Sequence, residues 1–151
     1  MRDHRALPAF QHAHELVLAV HEAVRQLPGG EAARLGARME AAAHSATAAV
    51  ARACAVPGEQ LSGQIDEASR RVREVGYYID IAQRMGYLPL GAAVELLERQ
   101  TLAGLEVNAL LEEEGGVRAP KGSPNAIGLN GKDTADLAAE VLATLSASPG
   151  R

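Results

Sequence analysis

Residues 61–86 read Leu-Ser-Gly-Gln-Ile-Asp-Glu-Ala-Ser-Arg-Arg-Val-Arg-Glu-Val-Gly-Tyr-Tyr-Ile-Asp-Ile-Ala-Gln-Arg-Met-Gly. Leu61, Ile65, Ala68, Val72, Val75, Ile79 and Ala82 recur within it at strictly alternating steps of four and three. That spacing keeps one apolar seam on one side of an α-helix. It is also the seam of helices crossing at roughly +20° in left-handed bundles. Gly86 follows as the stop.

The same signature appears on either side of this run. Pro8 suits a first helical turn, where its missing N–H costs nothing. Phe10, Ala13, Val17, Val20, Val24 and Leu27 then form a seam ended by Pro28-Gly29-Gly30. A second seam carries Leu35, Met39, Ala42, Ala46, Ala49, Ala53 and Val56 and closes at Pro57-Gly58. The fourth stretch, from Leu90 to Glu114, is broader, with Ala93, Leu96, Leu97, Ala103, Val107, Leu110 and Leu111 before Gly115-Gly116. Each segment runs about 20–26 residues, or about 30–39 Å at 1.5 Å per residue. Matched lengths and short connections predict an all-α, up-and-down antiparallel four-helix bundle over residues 1–116.

Residues 117–151 differ in character. Pro120, Gly122, Pro124, Gly128 and Gly131 predict a linker. Asp133 or Thr134 then caps a short C-terminal helix carrying Leu137, Val141, Leu142 and Leu145 on one side. A helix this short is marginal alone, so weak docking on the bundle or on a neighbouring copy is expected.

Composition agrees with this architecture. Hydrophobic residues make up 47% of the chain but aromatic residues only 3%, with no Trp and one Phe. The core must be aliphatic and alanine-rich, which suits close-packed helices and not a β-sandwich. A net charge of −4 gives an average field that repels a polyanion. Cys54 is the single cysteine, so no intramolecular disulfide is possible and a reducing, cytoplasmic compartment is expected. The apolar stretch from Leu16 to Val20 lies between His14-Glu15 and His21-Glu22 and is too short for a signal peptide or a membrane span.

The second helix carries the clearest surface signal. From Ala41 to Ala51 it has no charged residue. A helix without a polar face is usually covered on more than one side. The interface residues expected are therefore His44, Ser45, Ala48 and Ala51, with His14 and His21 flanking the first seam. The competing reading is surface filler, since alanine is the best helix former and tolerates exposure.

Chemical constellations are sparse. His12 and His14 are about 200° apart around a helix, and His14 and His21 about 10 Å apart along it, so neither pair chelates one ion within a helix. A histidine cluster formed across copies is the remaining metal reading. The Glu-x-x-His spacing of di-iron bundles and the His-Glu-x-x-His of zinc proteases are both absent. Gly128 to Thr134 resembles a phosphate loop only superficially, because Ala126 stands where the first glycine is needed and Asp133 follows Lys132. Cys54 and Ser45 lack a visible activating base. No catalytic residue, cofactor or metal is expected. Gln100 interrupts the fourth seam, either as a buried register-fixing residue or turned outward.

Arg70, Arg73, Tyr77 and Arg84 share the outer side of the third helix and form the candidate nucleic-acid patch. Asp66, Glu67, Glu74 and Asp80 alternate with them, a pattern that favours a solvated face laced by i,i+4 pairs.

The chain resembles the bacterial four-helix bundle family that includes proteins encoded by intervening sequences in 23S ribosomal RNA genes. The accessory protein of diversity-generating retroelements is similar to that family. The resemblance spans roughly Phe10 to Glu112. It rests on Phe10-Gln11-His12-Ala13-His14-Glu15-Leu16-Val17, on Leu35, Arg38, Met39, Ala42, Ala43 and Ser45, on Ala68 and Glu74, and on Ala82 and Gly86-Tyr87-Leu88. It implies a homo-oligomer in the form of a five-fold ring (a pentamer), association with RNA, DNA or a reverse transcriptase in some members, and no enzymatic activity. Glu40-Ala41 stands where the family typically has two arginines, and Ala49-Val50-Ala51-Arg52-Ala53 where it has Asn-Ile-Ala-Glu-Gly. The function expected is that of a non-enzymatic, self-associating scaffold or interaction module. The alternative is an RNA- or DNA-binding accessory factor whose weak basic patch is repeated around a ring.

Overall fold

Pro8 sits in the first turn of α1 (Pro8–Arg25), directly after a 3-10 turn at His4–Ala6 that Asp3 caps by accepting from the Arg5 N–H at 3.0 Å. The structure, a computed structural model, describes residues 3–115. Three further helices follow: α2 (Glu31–Ala55), α3 (Leu61–Arg84) and α4 (Leu90–Gly115). No strand occurs among the described residues, so the expected all-α four-helix bundle is what the chain forms. The linker and short helix expected over 117–151 lie outside the described residues.

Local chemistry explains the punctuation. The N–H groups of Gln26 and Leu27 turn back onto the Ala23 and Val24 carbonyls, tightening the end of α1 two residues before Pro28. At the end of α3 the Tyr87 N–H reaches the Ala82 carbonyl at 2.9 Å and the Gly86 N–H reaches Gln83 at 3.0 Å. These are the paired bonds of a Schellman stop, and Gly86 supplies the left-handed residue it requires, at φ 75°. Leu88 then tucks into the core.

Each connection, at 26–30, 56–60 and 85–89, is too short to carry the chain back along a helix, so successive helices are antiparallel. α2 packs on α1 and α3, and α4 packs on the same two. The four helices therefore stand on the corners of a square, with α2 and α4 on one diagonal.

The core follows the seams closely. All seven seam residues of α3 are buried. The largest fully buried side chains include Leu16, Met39, Ile65 and Ile79, and no polar or charged residue is buried among the described residues. α2 buries a second column, with Ala43 and Val50 beside Met39, Ala42, Ala46, Ala49 and Ala53, because it must face two neighbours. Its contact with α1 is close: a Cβ at Gly36 would stand 2.9 Å from Val24 Cγ1 and 3.0 Å from Leu27 Cδ1. Thr47 adds a polar tie, its hydroxyl oxygen 3.1 Å from the Ala13 carbonyl on α1.

Two seam expectations are corrected. Leu111 is 42% exposed, because the inward line of α4 runs through Ala103, Val107 and Leu110 and places the next residue about 100° further round. Gln100 is neither core nor turned out to water. It is half-buried at the α3–α4 seam, with its side-chain amide 3.2 Å from where a Cβ on Gly76 would stand.

Candidate functional site

The uncharged run of α2 divides cleanly around the helix. Ala42, Ala43, Ala46, Ala49 and Val50 face inward, Ser45 and Ala51 are half-buried, and Ala41, His44 and Ala48 are exposed. The outer face of α2 thus carries no Asp, Glu, Lys or Arg for about two turns, with the His44 ring between Ala41 and Ala48. Of the expected interface residues, Ala48 and His44 present the most open surface, while Ser45 and Ala51 sit at its margins.

The histidines meet across helices and not along α1. His14 is exposed and stacks on Phe10, with ring centroids 6.0 Å apart. His21 instead turns to α2. Its Nδ1 lies 2.9 Å from Glu40 Oε1, and its Nε2 lies 2.7 Å from His44 Nε2. No group of three His, Cys, Asp or Glu side chains among the described residues converges as a metal site. Cys54 is half-buried, and burial followed by the nearby Glu113 charge pushes its thiol pKa up, the reverse of an activated nucleophile.

The basic strip on α3 is largely internally neutralised. Glu67 pairs with Arg70 and accepts from Arg71 Nε at 2.8 Å, Arg71 reaches Glu74 at 3.5 Å, and Asp80 accepts from Arg84 Nε at 2.9 Å. The Arg71 hydrogen bond, reinforced by the charges of Arg70, Arg71 and Arg52, holds the Glu67 carboxyl below its ordinary range. Arg73 makes no ion pair among the described residues and borders a groove of about 240 Å³ between α3 and α4. Tyr77 is 60% exposed and lies edge-on to Tyr78. Two of the four patch residues, Arg70 and Arg84, are therefore members of i,i+3 and i,i+4 pairs, as a solvated helix face would have.

A row of exposed large aliphatic side chains lies elsewhere among the described residues. On α4, Leu90 (67% exposed), Val94 (45%), Leu102 (46%) and Leu105 (61%) stand in water on the side away from the core. A groove of about 540 Å³ lined by Val94, Leu97, Glu98, Thr101 and Leu102 runs along it. Glu98 is the only charged residue of that lining among the described residues. The breadth of the fourth apolar stretch was the available signal: residues such as Leu90, Val94 and Leu105 cannot share one seam with Ala93, Leu96 and Val107. No helix among the described residues is long and apolar enough to cross a membrane.

No family model and no curated protein matches this chain.

Proposed function

We propose that the chain is a non-enzymatic cytoplasmic scaffold whose copies assemble head to tail into a closed ring, the outer face of α4 in one copy seated on the outer face of α2 in the next. The observation that carries this reading is the row Leu90, Val94, Leu102 and Leu105, exposed on the helix diagonally opposite the charge-free face of α2. Monomeric proteins rarely leave a contiguous apolar face of this kind in water. One of the two faces is dominated by projecting aliphatic side chains and the other by alanines around His44, so a larger relief on one meets a shallower one on the other. Two different patches on opposite sides of a protomer generate a heterologous contact, which closes into a ring when the rotation per copy permits. The resemblance to the intervening-sequence bundle family supports five copies.

A ring of this kind presents a repeated surface to a macromolecular partner. The alternative, a nucleic-acid accessory factor, draws on Arg73 and Tyr77, since Arg70 and Arg84 are committed to Glu67 and Asp80. Light scattering on a size-exclusion column tests the main reading. The expected mass is several times 15.8 kDa, and Ala48→Glu or Leu105→Glu should each lower it. A wild-type mass of one chain would overturn the proposal.

A further inference from the structure

His21 and His44 lie on different helices, each directly after a buried residue, Val20 and Ala43, whose packing sets the backbone positions beneath them. Their Nε2 atoms face each other at 2.7 Å. Two imidazole nitrogens that close require a proton between them or a cation in its place. Glu40 decides which nitrogen of His21 is free. Its carboxylate lies 2.9 Å from Nδ1, so Nδ1 carries the proton and Nε2 keeps its lone pair toward His44. Without a cation, His44 Nε2–H donates to that lone pair. When His44 takes its other neutral tautomer, with the proton on Nδ1, both Nε2 lone pairs face the gap between the rings and no net proton is lost.

From this geometry we propose that His21 and His44 form a two-nitrogen site for a divalent transition-metal ion, with Glu40 as the residue that orients His21. A carboxylate on the far nitrogen of a ligating histidine is the usual arrangement around bound metal, fixing the tautomer and raising ligand basicity. Metal–nitrogen bonds of about 2.0–2.1 Å separate two nitrogens by about 2.9 Å at a square-planar angle and about 3.4 Å at a tetrahedral one. The nitrogens therefore separate by a few tenths of an ångström for the first geometry and somewhat more for the second, and the rings, now nearly end to end with centroids 4.9 Å apart, swing so that both lone pairs point at the ion. Both rings are accessible enough to do so: the His21 side chain is 42% exposed and His44 is an exposed residue. Imidazole donors and the smaller opening select Cu²⁺ ahead of Ni²⁺ and Zn²⁺, and disfavour Mg²⁺ and Ca²⁺, which require oxygen. The described residues supply no third ligand, so water completes the coordination.

Both ligands come from one chain, but His44 lies on the α2 face that the assembly reading covers, so Leu105→Glu, which keeps both histidines and dissociates the copies, is titrated beside the wild type. Isothermal titration of the full chain with Cu²⁺, and separately with Zn²⁺ and Mg²⁺, tests the site. One ion per chain is expected for Cu²⁺, with weaker Zn²⁺ binding and none for Mg²⁺. His44→Ala and His21→Ala should each weaken Cu²⁺ binding more than tenfold. Glu40→Gln should weaken it about 10–100-fold, the range for a group that hydrogen-bonds the far nitrogen of a ligating histidine. His14→Ala should leave it unchanged. Wild-type binding in His44→Ala with a normal helical spectrum, equal loss in His14→Ala, or no Cu²⁺ binding by Leu105→Glu would each overturn the site.

Discussion

Leu105→Glu separates the assembly from the fold. Leu105 is 61% exposed, so it contributes little to the core of its own chain. Full burial of a leucine is worth about 1.5–3 kcal/mol. Covering the exposed part in a contact with α2 of a neighbour therefore stabilises each interface by about 1–2 kcal/mol. The variant loses that and places a carboxylate in an apolar contact, which costs several kcal/mol more unless it finds a partner. A loss above about 3 kcal/mol per contact weakens each one by more than about a hundredfold. Every contact in a closed ring carries the change at once, so the ring should be absent at micromolar concentration. Glutamate is as good a helix former as leucine, and the helical circular dichroism spectrum should persist.

Mixing gives a sharper outcome. A Leu105→Glu copy keeps a sound α2 face, and an Ala48→Glu copy keeps a sound α4 face. If the contact is head to tail, one good interface forms between them and growth stops there, at twice 15.8 kDa. A contact pairing α4 with α4 would give no such complex. Light scattering on each variant and on the equimolar mixture reads all three masses. An unchanged large mass for Leu105→Glu refutes the use of α4, and failure of the mixture to form the two-chain species refutes the head-to-tail arrangement.

Other expectations follow from single side chains. Met39 is fully buried, so Met39→Ala should lower unfolding stability in urea by about 2–5 kcal/mol, whereas Met85→Ala, more than half exposed, should stay within about 0.5 kcal/mol in a dissociated background. The Cys54 thiol, its pKa raised by burial and by Glu113, should react with an aromatic disulfide reagent more slowly than free cysteine at pH 8. The inflection of its rate should lie at higher pH than that of free cysteine, and both differences should vanish in denaturant. An RNA or DNA gel shift at low salt should show no complex, since Glu67 and Asp80 neutralise Arg70 and Arg84. A salt-sensitive complex lost in Arg73→Glu would instead make the α3 strip a binding face.

How much of this was legible before the structure depended on how many apolar stripes a helix carries. α3 has one, with charges elsewhere, and its seven seam residues are the seven that are buried. α4 has two, and periodicity marks both without saying which turns inward. That is decided by α1 and α3, and Leu111 fell on the wrong side for this reason. The bland face of α2 could be read from its missing charges, but the bulkier surface on α4 was hidden in what looked like a generous core. The His21–His44 meeting was invisible for another reason. It depends on the rotation and register of α1 against α2, set partly by the close approach at Gly36, and no spacing within one helix encodes it.

The composition links these surfaces to the core. With aromatic residues at 3%, the interior is filled by alanine and short aliphatic side chains, and such a core is thin. Ala42, Ala46, Ala49 and Ala53 line the inward side of α2, and Ala68 and Ala82 that of α3. Helices meeting through residues this small approach towards the low end of the usual 8–10 Å spacing. The inward positions of α4 are already taken by Leu96, Val107 and Leu110, and rotating its other leucines inward would displace them. Those other leucines must remain outside, and outside they lose free energy to water unless something apolar covers them. The alanine content that closes the core on one side of α2 leaves the matching shallow surface on its other side. Tight interior packing and a surface in need of cover are therefore two results of one choice of residues, and substituting larger side chains for the buried alanines would be expected to disturb both.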